Sequence, residues 1–124
     1  VSCFDKGDQD GTFSGNPLTT AIGYAVLSEV AKPEFLQNIE HSGNYLREQL
    51  LQLSKRFGLG EVRGEGLLIA LDIPAGNAEA IARKAFDAGL LVNAARPHIL
   101  RFMPALNVST EEIEAMRAIL AECL

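Results

Sequence analysis

The stretch from Glu34 to Phe57 limits the fold more than any other part of the chain. Phe35, Ile39, Leu46, Leu50, Leu53 and Phe57 recur at spacings of three, four or seven, which places them on one stripe of an α-helix. Pro33 precedes the stretch, and Gly58 and Gly60 follow it, as expected at the two ends of a helix. A helix this long with a single apolar stripe must lay that stripe against another layer of structure.

The rest of the chain supplies that layer. Asn16 can cap an earlier helix whose first turn accepts Pro17. Its broad apolar face carries Ala21, Ile22, Ala25, Val26 and Val30. Leu67–Ile73 is apolar except for Asp72, has strand length and is closed by Pro74. A third helix is expected over about 77–88, with Ile81, Ala82, Ala85 and Phe86 inward and Gly89 as its stop. Residues 90–94 and 98–104 read as two short strands joined through Arg96-Pro97. Ser109 and Glu112 form a capping box for a last helix, whose inner face is Ile113, Met116, Ile119 and Leu120. The order is helix, helix, strand, helix, strand, strand, helix. It predicts an α+β fold, a small and largely antiparallel sheet covered by helices.

A chain of 124 residues, 48% hydrophobic and 22% charged, has the composition of a globular domain. Its net charge of −5 and its lack of a basic, aromatic-studded cluster argue against nucleic acid or an anionic membrane as partner. Cys3 and Cys123 lack metal-ligand spacing and read as free thiols in a reducing cytosol. The sequence opens at Val1 in polar, loop-like residues, as expected of a cut through a longer protein.

Few residues could carry chemistry. His41 falls on the long helix and is expected at its surface. His98 follows Pro97 without an acidic partner nearby in sequence, which makes it a poor general base. "RGEGLL" (63–68) reads as a tight turn before a strand, and Asn93 as a turn former or a ligand contact. Arg101 stands out. Period-two alternation sets it on the strand face of Ile99 and Met103, opposite His98, Leu100 and Phe102. A cation there needs an anion, either in a structural salt bridge or as a fork on a substrate carboxylate. The turn "GTFSGNPL" (11–18) is open in the same way: it can cap a helix, meet a ligand, or do both.

Taken together, "GTFSGNPLTTAIGYAVL", "VRGEGLLIALDI", "GLLVNAA" and "HILRFMPALNVSTEEI" resemble, in order and spacing, stretches of the class III pyridoxal-phosphate aminotransferases. The likeness covers nearly the whole chain and corresponds to about the last third of such an enzyme. It implies the C-terminal domain of a fold-type-I homodimer, with each active site built from both subunits. Residues 1–32 would be the cofactor-phosphate loop and linking helix, and 33–124 the small C-terminal domain. Thr12 would bind the phosphate of pyridoxal 5'-phosphate in the neighbouring subunit, and Arg101 the substrate α-carboxylate. Gly11 stands where many relatives carry a hydroxyl residue, which removes a second phosphate contact.

The implied reaction is amino transfer between an acylated ornithine and 2-oxoglutarate, in cytoplasmic arginine biosynthesis. Ornithine or another ω-amino acid is the alternative donor, and a free-standing α+β binding or regulatory module the alternative of another class. The family's cofactor-anchoring lysine lies upstream of the glycine-rich turn. Lys6, Lys32, Lys55 and Lys84 do not match it, so the chain alone is expected to be catalytically dead. No metal is expected. The helix over 17–32, which the family packs on its large domain, is expected to self-associate through its apolar face.

Overall fold

The computed structural model describes residues 5, 7, 8 and 11–124. Cys3 and Lys6 lie outside the described residues. The chain divides into two compact units, Val1–Leu36 and Gln37–Leu124.

In the first unit, α1 (Pro17–Val30) begins as its sequence predicts. Asn16 Oδ1 accepts hydrogen bonds from the N–H groups of Leu18 (2.9 Å) and Thr19 (3.4 Å), and Pro17 takes the first turn. The turn before the helix is tied to it. The Thr19 hydroxyl donates to the carbonyls of Phe13 and Asn16, and that of Thr20 to those of Asn16 and Pro17. No residue of α1 is buried: Leu18, Ile22 and Val26, one stripe at a spacing of four, are all more than half exposed.

The long helix α2 (Pro33–Phe57) contributes Leu46, Leu50 and Leu53 to the core of the second unit, with Ile39 and Phe57 half-buried beside it. Four strands follow the order β1 (Val62–Glu65), β2 (Leu68–Asp72), β4 (Ile99–Phe102), β3 (Asn93–Arg96), every neighbouring pair antiparallel. One face of this sheet is apolar. Val62, Ile69, Leu71, Leu100 and Phe102 are buried with α2, with Ile81 and Ala85 of α3 (Ala78–Asp87), and with Ile113 and Leu120 of α4 (Thr110–Cys123). Cys123 is a free, buried thiol in that core. The fold is therefore α+β, with helices on one face of an antiparallel sheet.

The helix ends follow their local chemistry. Ser109 and Glu112 form the predicted capping box, with Ser109 N donating to Glu112 Oε2 at 2.8 Å and Glu112 N to Ser109 Oγ at 3.2 Å. At the end of α3, Gly89 takes φ +89°, its N–H meets the Phe86 carbonyl, and Leu90 N–H meets that of Ala85. This reciprocal pair is a Schellman closure, and it folds Leu90 back towards the core.

The structure corrects three expectations. Strand β1 is absent from the sequence reading, because "VRGE" has one apolar residue and a glycine. It forms as the edge of a hairpin whose two-residue loop is Gly66-Leu67. The strand expected at 90–94 runs instead over Asn93–Arg96, since the α3 closure occupies Leu90; a bulge interrupts it between Ala94 and Arg96. Phe86, expected inward, is 57% exposed, and Ile81 and Ala85 alone make the buried stripe of α3 with Ala78.

Candidate functional site

The open face of the sheet lies opposite the helices. Residues paired across antiparallel strands point to the same side, so the register places Arg63, Ala70, Arg101 and Asn93 in one row across all four strands. Asp72 and Ile99 form the next row. Burial agrees with this: Leu100 and Phe102 are inside, whereas Arg101 is exposed.

The two arginines of this row differ. Arg63 Nη1 lies 2.7 Å from Asp72 Oδ1 and 3.7 Å from Glu61 Oε2. The Asp72 carboxylate raises the already high pKa of Arg63, and Glu61 adds a smaller push in the same direction. Arg63 is thus neutralised within the chain. Arg101 forms no ion pair with any described residue. Of the two fates its sequence left open, the internal salt bridge is not formed among the described residues. The guanidinium keeps its planar set of donors, which suits a carboxylate held by two parallel hydrogen bonds.

Thr12 belongs to the other unit. It sits in the exposed turn preceding α1, where Ser14 N–H bonds to the Gly11 carbonyl, Asn16 N–H to that of Phe13, and Gly15 takes φ +74°. Its hydroxyl bonds to no other described residue. Asn16 already occupies the Leu18 and Thr19 amides at the start of α1, so the exposed donor this turn offers an anion is the Thr12 side chain. A hydroxyl in a loop pinned by Thr19 fits one edge of a phosphate group and leaves its other oxygens to donors elsewhere.

The remaining titratable residues take structural places. His98 is exposed in the β3–β4 turn, where its carbonyl accepts from Ile73 N–H. His41 is exposed on α2, as expected. Lys32 pairs with Glu29 at the end of α1, Lys55 lies in the last turn of α2, and Lys84 on α3 reaches the Cys123 carbonyl at 3.4 Å. Glu111 lies in the first turn of α4, where the backbone N–H and the hydroxyls of Ser109 and Thr110 hold its pKa below the usual carboxylate value.

Sequence reasoning missed two members of the open face. Arg63 was hidden because its strand was not read. The pairing of Asn93 with Arg101 depends on a cross-strand register that no local pattern encodes.

The site so far is a helix-backed sheet with a free anion-binding cation, and a separate hydroxyl-bearing turn. Relatives place it within a family. A profile of the Aminotransferase class-III family matches residues 1–124. An acetylornithine aminotransferase of Ralstonia nicotianae is 52% identical across the whole chain, which spans 32% of that protein. A succinylornithine transaminase of Citrobacter koseri is 40% identical over 91% of the chain and 29% of its own length. Among solved structures, an N-acetylornithine aminotransferase from Stenotrophomonas maltophilia superposes with a TM-score of 0.83 at 34% identity, over 88% of this chain and 31% of that one. The chain belongs to the class III aminotransferases. It spans about a third of the length of the curated relatives it matches.

Proposed function

We propose that this chain is the C-terminal part of a pyridoxal-phosphate enzyme that moves an amino group between N-acetylornithine, or its succinyl analogue, and 2-oxoglutarate. Residues 1–32 serve as its phosphate loop and linking helix, and 33–124 as its small domain. The enzyme acts in cytoplasmic arginine biosynthesis as a homodimer, with Thr12 reaching the cofactor phosphate of the partner subunit. The observation that carries this reading is the unneutralised Arg101 at the centre of the open sheet face, in a chain whose relatives are named for acylated ornithines.

When bound, the cofactor supplies the electron sink for breaking a bond at the amino-acid α-carbon. This chain's residues bind and orient. Arg101 holds the α-carboxylate of each substrate in turn through two parallel hydrogen bonds, which fixes the rest of the molecule relative to the reacting centre. Thr12 donates its hydroxyl to a phosphate oxygen, within a turn kept rigid by the Thr19 and Asn16 hydrogen bonds. No lysine of the chain fills the covalent anchoring role in this reading, so that residue comes from the remaining two-thirds of the intact enzyme.

The test uses the full-length enzyme carrying these residues. N-acetylornithine is expected to be a better amino donor than free ornithine, and a marked preference for ornithine would reject the assignment. Arg101→Ala is expected to raise the KM of both substrates by roughly a hundredfold, the usual worth of a charged bidentate contact. Thr12→Ala is expected to weaken cofactor binding about tenfold, read by equilibrium dialysis of the cofactor.

A further inference from the structure

Arg101 has one cross-strand neighbour on each side. Ala70 on β2 offers only a methyl group, and Asn93 on β3 offers an amide. Asn93 and Arg101 are both exposed and on the same face, whereas the adjacent pair Ala94 and Leu100 turns to the core. The Asn93 side chain bonds to no described residue, and asparagine has no packing reason to stand in a strand. The open face holds one other polar pair, Arg63 with Asp72, and those two are spent on each other.

We propose that Asn93 is a second carboxylate-binding residue, whose side-chain amide N–H donates to the same substrate carboxylate that Arg101 grips. The inference rests on the reading of Arg101 given above. A guanidinium fork uses one lone pair on each carboxylate oxygen and leaves others free. Directly opposed side chains on antiparallel strands have Cβ atoms about 5 Å apart, so both can reach one small anion. Neutrality at position 93 matters as much as the donor. An aspartate there would be an internal counter-ion for Arg101 and would close the site, as Asp72 does for Arg63. Asn93 therefore supplies a hydrogen bond while leaving the cation available.

The test compares Asn93→Ala, Asn93→Asp and Arg101→Ala in the full-length enzyme, with glutarate as an unreactive dicarboxylate probe. Asn93→Ala is expected to raise the KM for 2-oxoglutarate and the glutarate inhibition constant about tenfold each, with kcat within threefold. Asn93→Asp is expected to raise both about a hundredfold without lowering the unfolding temperature, because opposite charges then face each other across the strands. A residue that merely shapes the β3 turn would instead lower the unfolding temperature and leave the glutarate constant unchanged. If Arg101→Ala weakens glutarate and both Asn93 variants leave it within twofold, the role of Asn93 is overturned and the proposed function stands. If Arg101→Ala also leaves glutarate binding unchanged, the proposed function fails and takes this inference with it.

Discussion

At the scale of single residues, glycines mark where the backbone runs closest to itself. Gly64 adopts φ +130°, and a Cβ there would lie 2.1 Å from the Leu68 carbonyl oxygen on the paired strand. Gly64→Ala meets both a strained dihedral and a clash with backbone. It is expected to cost about 3 kcal/mol, read as a lower urea midpoint at unchanged m-value. Asn16 is a milder case. Asn16→Ala removes the cap of α1 and is expected to cost that helix about 1 kcal/mol, seen as faster amide exchange at Leu18 and Thr19. At this scale the sequence was informative where the chemistry is local. Asn16-Pro17 and the Ser109–Glu112 box announce themselves within four residues. It was silent where partners are distant: the spent charge of Arg63 and the free charge of Arg101 have equal standing in a string of letters.

Among elements, the helices were legible because a 3.6-residue period repeats over many turns, and α2, α3 and α4 bury the stripes it marks, apart from Phe86. Short strands give a weaker signal. Strand β1 exists because β2 pairs with it and because α2 is pressed onto its hairpin. A Cβ on Gly43 would meet the Gly66 carbonyl oxygen at 2.6 Å, and Arg47 Nη1 donates to the Gly64 carbonyl at 3.0 Å. Gly43→Ala is expected to push helix and hairpin apart, costing about 2 kcal/mol in thermal unfolding. The start of α4 carries a pH dependence of known sign. The folded-state pKa of Glu111 is depressed, so its contribution is complete above the ordinary carboxylate pKa and is lost as pH falls through the folded value. The stability difference between the unmodified protein and Glu111→Gln is therefore expected to be largest near neutrality and to vanish in acid, as measured by unfolding across a pH series.

For the molecule as a whole, the exposed stripe of α1 governs behaviour in solution. Leu18, Ile22 and Val26 present a row of branched side chains to water on a helix that buries nothing. The 124-residue chain is expected to self-associate through this row, and Ile22→Glu with Val26→Glu to shift it towards monomer in light scattering. A clean monomer of the unmodified chain at high concentration would contradict this.

The two outer strands bear on what such clusters can become. Each is only four residues long; one contains Gly64, and the other is bent by the bulge at Ala94–Arg96 and followed at once by Pro97. Neither offers a straight ruler of unpaired amides on which a neighbour could extend the ladder. Clusters of this chain should therefore be helix-mediated, dissolve on dilution and fail to bind amyloid dyes.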